Sequence, residues 1–294
     1  MTSSGNSSFS VGANVVINST AIVVGNAVVN TTLNSTSIST QTLTVNGATV
    51  TSLAPRQFMN VQTFTTTGWS TWTKPSWVTN DDVITITLWG GGGGATSGTA
   101  NGGAGGGGAC VRVSIQADRC NSVCNVFVGS GGTTGFNGGN TVFWTNSTAS
   151  ITAYGGGAAN SSISGGGGGY YSNGGAYFGG QPYTTSYVFG GSYGCNSSTS
   201  PVNYSSPPQR TIWGGAGGGW GNNSSISIYG GSSIWGGGGG GGGNSVFGGS
   251  GASVSQVVAG TPIAATPPGG GGYNSSSGAR GEVRVVVTRM RNTQ

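Results

Sequence analysis

Histidine is missing from this 294-residue chain, and only four of its side chains are acidic. Histidine is the side chain whose unperturbed titration falls near neutral pH. Without it, and with lysine present only at Lys74, general acid–base chemistry lacks its usual groups. The acids are Asp81, Asp82, Asp118 and Glu282. Asp81 and Asp82 are adjacent, so in a strand they point to opposite faces and cannot flank one bond. Asp118 with Glu282 is the one pair that well-separated segments could bring together, as polysaccharide hydrolysis would require. Nor do the glycine runs lead into the Lys-Ser/Thr of a phosphate loop. An enzyme is not expected, and neither is a cofactor.

Charge and long apolar runs are also scarce. Charged residues make up 4% of the chain, with a net charge of +5. Of the cations, Arg210, Arg280, Arg284, Arg289 and Arg291 lie toward the C-terminus, and the last group alternates with valine. That reads as a solvated strand face, so no nucleic-acid partner is expected. No apolar run reaches the length of a membrane-spanning helix, and membrane insertion is not expected. The opening Met1-Thr-Ser-Ser-Gly-Asn has neither the basic nor the apolar region of a secretory signal. Yet the polar residues are mostly Asn, Ser, Thr and Gly, which suits an extracellular surface. A protein of that character with no export signal fits a particle released by lysis.

Cysteine occurs four times, at Cys110, Cys120, Cys124 and Cys195. An even count fits two disulfides, and four cysteines permit three pairings among which sequence cannot choose. Cys120 and Cys124 span a turn and could close a small loop, which would leave Cys110 for Cys195. Zinc is the weaker reading, since there is no histidine and no C-x2-C pair. No metal is expected.

What the chain has instead is glycine, 64 residues of it, falling in blocks. The longest are 90–94, 105–108, 165–169, 214–219 (broken once by Ala216), 236–243 and 269–272. Ordering glycine costs more backbone entropy than ordering any other residue. Such a chain either stays disordered or packs bare backbones so closely that side chains would obstruct. Aromatics at 9%, the low charge and several cleanly alternating segments favour order. A glycine run can form the extended three-residue-per-turn helix, in which runs lying side by side satisfy one another's amides.

Residues 1–54 form a first unit. Val11 to Ile22 is echoed by Val24 to Leu33, and short β-branched strands follow, punctuated by Gly and Asn. Each strand carries too few apolar residues for a core within one chain. Three chains wound together would bring Ile17, Ile22, Val28, Leu33, Ile38, Leu43 and Val45 to a shared axis; a small sheet packed on the next domain is the alternative. Pro55 marks a boundary near Ser52–Arg56, and residues 55–294 form the second unit. Strands are expected at 83–89, 109–115, 125–128, 141–144, 151–154 and 281–288, the third closing a hairpin with the second through the C-x3-C loop. The prediction is all-β: a short intertwined β-stalk, then a β-sandwich-like base that carries polyglycine helices and display loops.

Several motifs carry a resemblance. The run from Phe64 to Gly93 reads F-x(3)-G-W, then a proline, then V-x-x-I-x-L-W-G-G-G-G. It resembles the glycine-rich domain at the tips of bacteriophage tail fibres, as do Val111 to Gly129 and the close from Gly278 to Val287. The Asn-Ser-Thr-x-Ile repeats before it look like fibre stalk segments. The Cys120–Cys124 loop and the short first unit depart from that pattern. The resemblance implies a receptor-binding adhesin on the virion surface, homotrimeric, attached through its N-terminus to a tail or capsid protein. Its partner would be a host surface glycan or outer-membrane protein. A head fibre or decoration protein with weak surface binding is the other reading.

The contact residues are expected in the loops of 155–272, the receptor-facing tip: Tyr170, Tyr171, Tyr177, Phe178, Tyr183, Tyr187, Tyr193, Tyr204 and Trp220. Their flat rings stack on sugars and freeze few torsions. Trp213 and Trp235 stand immediately before glycine runs and are read instead as packing on bare backbone.

Overall fold

In the computed structural model, the described residues are 59–96, 103–160, 163–176, 190–192, 194, 210–221, 227–254 and 262–289, with the backbones of seven strands between residues 1 and 50. The chain divides into two units, Met1–Gln57 and Phe58–Gln294. Among the described residues no helix is long and apolar enough to cross a membrane.

In the first unit β1 (Phe9–Ser10), β2 (Val15–Ile17), β3 (Ala21–Gly25), β4 (Asn30–Asn34) and β5 (Ile38–Thr40) pair in chain order as one sheet. All of these pairs are antiparallel. β6 (Leu43–Val45) and β7 (Ala48–Val50) make a separate hairpin. The register sets Ile17 opposite Ile22, Ile22 opposite Leu33 and Leu33 opposite Ile38, so these four share one cross-strand row. Val28 lies outside the described residues.

The second unit begins with two four-stranded antiparallel sheets. One has the order β11 (Cys110–Gln116), β10 (Val83–Trp89), β19 (Glu282–Thr288), β8 (Met59–Phe64). The other has the order β14 (Ser150–Ala153), β13 (Thr141–Trp144), β12 (Val123–Val128), β9 (Gly68–Thr73). Alternation puts Ile84, Ile86, Leu88, Val283, Val285 and Val287 of the first sheet into one core with Trp72, Val126, Val128 and Phe143 of the second. Each such side chain contributes about 1.5–3 kcal/mol on burial. The closing strand β19 lies between β10 and β8, so the last segment of the chain is needed to complete the first sheet.

One expectation fails. The segments 109–115 and 125–128 do not form a hairpin: among the described residues β11 pairs with β10 alone, while β12 pairs with β9 and β13. Between them a single 3-10 turn, Ala117–Arg119, takes the chain from one sheet to the other. Lys74 fastens it from a distance, its Nζ donating to the carbonyls of Ala117 (2.5 Å) and Cys120 (2.6 Å). The β13–β14 pair forms as expected.

Asp82, Asp118 and Glu282 tie strand ends and turns to arginine. Glu282 is buried and its carboxylate meets Arg284 at 2.7 Å and Arg280 at 3.5 Å. The Arg284 guanidinium also lies 5.0 Å from the Trp89 ring centre. Asp82 is buried, accepts from the Thr79 amide at 2.8 Å, and pairs with Arg289 at 3.6 Å. Asp118 stands in the exposed turn beside Arg119, so Glu282 and Asp118 each have an arginine partner.

Cys110, Cys120 and Cys124 are buried free thiols; Cys195 lies outside the described residues. Burial pushes the Cys110 thiol far up. Cys120 and Cys124 hydrogen-bond to each other, which raises Cys120 and holds Cys124 below its ordinary value. At about pH 8.5, where an exposed thiol is half ionised, iodoacetamide is expected to modify none of these three in the native protein. Denaturant should release all of them. Rapid alkylation of native Cys110, read by peptide mass spectrometry, would contradict its burial.

Candidate functional site

From the sandwich, the glycine runs lead into a lattice of bare backbone. In the run after β10, successive amides turn to three different neighbours. Gly90 and Gly93 donate to Ala109 and Gly106, Gly91 and Gly94 to Gly139 and Phe136, and Gly92 and Ala95 to Ala279 and Ser276. The direction repeats every third residue. The next run behaves alike: Gly105 and Gly108 reach Gly272 and Gly269, with Gly106 and Gly107 turned to Gly157 and Ala216. Every N–H of these two runs thereby finds a carbonyl within the lattice. The approach is so close that a Cβ on Gly93 would lie 2.0 Å from the Gly157 oxygen.

One flank of the lattice carries an ordered side-chain ladder. The sequence Thr211-Ile-Trp-Gly-Gly recurs as Ser233-Ile-Trp-Gly-Gly and Ser245-Val-Phe-Gly-Gly. Thr211, Ser233 and Ser245 form parallel bridges. The Ser233 hydroxyl donates to the Gly214 carbonyl (2.9 Å) and accepts from the Gly236 amide (2.9 Å); Ser245 does the same with Gly236 (2.6 Å) and Gly248 (2.8 Å). These hydroxyls start each glycine run and lock it to the one before. The aromatic rungs stack: Trp213 on Trp235 at 5.0 Å and 7°, Trp235 on Phe247 at 4.0 Å and 15°. The Trp89 indole N–H donates to the Trp235 carbonyl at 2.7 Å, and the Cys110 amide donates to that of Trp213, which ties the ladder to the sandwich. The aliphatic rungs Ile212, Ile234 and Val246 are exposed and line a shallow groove of about 340 Å³ together with Arg210, Ser232 and Asn244.

The end of the lattice remote from the sandwich is built from turns. The Gly135 amide donates to the Ala95 carbonyl (3.0 Å), the Ser275 amide to Thr96 (3.2 Å), and the Thr134 hydroxyl to Ser275 (3.3 Å). Asn274 and Ser275 hold left-handed backbone, φ 50 and 66. The Tyr273 amide donates to the Ser276 hydroxyl, and burial raises the Tyr273 phenol. Phe136 stands out here at 67% exposure. Two short hairpins, β15 (Trp220–Gly221) with β16 (Ser227–Ile228) and β17 (Ser253–Val254) with β18 (Pro262–Ile263), leave the ends of glycine runs, and Tyr229 follows β16 at 66% exposure.

Of the predicted contact residues, Tyr177, Phe178, Tyr183, Tyr187, Tyr193 and Tyr204 lie outside the described residues, and Trp220 is described as strand backbone only. Tyr170 and Tyr171 occupy the sandwich end of their glycine run, where the Gly168 amide reaches Gly107 and a turn closes from Gly169 to Ser172. Tyr170 packs against the sandwich core, its ring 4.8 Å from that of the exposed Tyr171. They are therefore not at the remote end. Sequence reading overlooked Phe247, Phe136 and Tyr229. The thrice-repeated [ST]-[IV]-[WF]-G-G would have found the first; nothing periodic marks the other two. Among the described residues no three Cys, Asp or Glu side chains gather as metal ligands.

The sequence profile of a glycine-rich domain matches residues 65–288, which takes in β9 to β19 and the whole lattice. No curated protein matches the chain.

Proposed function

The chain belongs to the glycine-rich domain family, and from that premise we propose that it is a phage virion fibre protein, an adhesin that binds a host surface receptor, glycan or outer-membrane protein. The observation that carries this reading is the remote end of the lattice. There, turns and hairpins bearing Phe136 and Tyr229 project from a frame whose amides are internally paired. Contact residues on a rigid frame lose little entropy on binding. The three-residue period of hydrogen-bond direction supports reading the glycine runs as polyglycine II helices. Asp82, Asp118 and Glu282 each lie within ion-pair distance of an arginine, which suits a binding protein better than a hydrolase.

In this reading the first unit serves as a homotrimeric stalk. The row of Ile17, Ile22, Leu33 and Ile38 supports it, because one small sheet leaves such a row to be covered. Purified protein is expected to bind host cells and to lower phage adsorption when added beforehand. On a denaturing gel it should run as a trimer unless boiled. Protein that binds no cells and leaves adsorption unchanged would favour a structural head fibre or decoration protein.

A further inference from the structure

On the sandwich itself, the outward face of the sheet β14-β13-β12-β9 carries an aromatic cluster that the function proposed above does not use. Trp69 of β9 is 68% exposed although its strand neighbour three residues on, Trp72, is fully buried. Register sets Trp69 opposite Phe127 of β12, and their rings meet edge to face at 5.2 Å. Trp144, two strands away on β13, leans across and stacks on Trp69 at 5.0 Å and 24°. One face of the Trp69 indole is thus occupied by Trp144, and the exposure leaves the other to solvent.

An indole face open to water on a rigid sheet costs solubility and is kept where something stacks on it. The neighbouring outward positions on these strands are Thr71, Thr73, Asn125 and Val123, all exposed, with Ser150 at the edge and Val142 and Thr152 half-buried between. No charged residue falls on these outward rows, so nothing here would attract an anion or cation. Hydroxyls and an amide beside a flat apolar plate match the two faces of a pyranose, with C–H groups on the ring faces and hydroxyls at the rim. Size argues against a protein occupant. At its exposure Trp69 presents roughly 150 Å² and the whole apolar patch roughly 300 Å², whereas a stable interface takes about 800 Å² from each partner, of which about 450 Å² is apolar.

We propose that this face is a binding site for a neutral saccharide, with Trp69 as the stacking plate and Thr71 and Asn125 as hydrogen-bonding partners. The site is separate from the remote end of the lattice and stands whether or not that end binds cells. The test is an array of neutral and anionic oligosaccharides, followed by titration calorimetry of each sugar that scores. Neutral sugars are expected to bind, Trp69→Ala to weaken them at least about tenfold, and Trp69→Phe to retain most of the affinity. Trp69→Ala gives up its ring contacts to Phe127 and Trp144 and should lower the melting temperature by a few degrees at most, leaving the protein folded at the temperature of the assay. Phe136→Ala at the remote end should leave sugar binding unchanged. Three outcomes overturn the proposal: no neutral sugar binds, Trp69→Ala binds as wild type does, or Trp69→Ala alters the sedimentation mass, which would make the face a contact between proteins.

Discussion

Gly107→Ala is expected to cost the second unit about 3 kcal/mol or more, enough to threaten its folding. The added Cβ would stand 2.0 Å from the Gly237 oxygen and 2.5 Å from its carbonyl carbon. Those are backbone atoms, so no rotamer change relieves the clash. The run holding Gly237 cannot step aside either, because the Gly237 amide donates to Gly108 at 2.8 Å and the Gly107 amide to Ala216 at 2.8 Å. Moving one strut breaks bonds to several others. Gly135→Ala is the control. Gly135 has φ +77 but nothing within 4 Å of its would-be Cβ, so only the left-handed strain of about 1–2 kcal/mol applies. Chemical denaturation of both variants, followed by tryptophan fluorescence, separates the two costs. Equal midpoints would mean that the lattice is looser than its contacts indicate.

Alanine is not foreign to the lattice: Ala216 interrupts a glycine run and is wholly buried. A side chain is tolerated where the neighbouring backbone leaves a gap and forbidden one residue away. This distinction explains why the glycine blocks announce themselves in the sequence while their arrangement does not. Residues without side chains carry no pattern that could fix a register; the period of three appears only when the hydrogen bonds are followed. Strands with side chains were far more legible. Val83–Trp89 alternates threonine with buried aliphatics and is a strand over those residues. Val283, Val285 and Val287 announce β19 in the same way. The false hairpin between β11 and β12 has the opposite cause. Two β-rich segments across a short turn look like a hairpin locally, but Lys74, more than forty residues upstream, holds that turn as a crossover.

For the site, residue type was legible and position less so. Tyr170 and Tyr171 sit among Ser, Asn and Gly and read as displayed, yet a glycine run has two ends and composition does not say which end a loop occupies. Trp213 and Trp235 read as packing residues because each precedes bare backbone, and both rings are half-buried in a stack. Trp69 and Trp72 show how period two decides between equals. They lie three apart, so they take opposite faces of β9, one in the core and one in solvent.

The same stack yields the second large effect, a loss of about 3 kcal/mol for Trp235→Ala. Trp235 is the middle rung and touches both neighbours, Trp213 at 5.0 Å and Phe247 at 4.0 Å, with the Arg112 guanidinium 5.9 Å from its ring. Phe247 is an end rung, 49% exposed, and one ring contact is lost with it, so Phe247→Ala should cost only about 1 kcal/mol. The backbone of residue 235 is unaffected in type: its carbonyl still accepts from the Trp89 indole and its amide still donates to Ile212. The difference between the two variants therefore reports the rings. In the double variant the Trp235–Phe247 contact is counted once instead of twice, so its cost should fall short of the sum by about 1 kcal/mol. Strict additivity in the denaturation midpoints would mean that the rungs stand independently and that the ladder is held by the serine hydroxyls and backbone bridges alone.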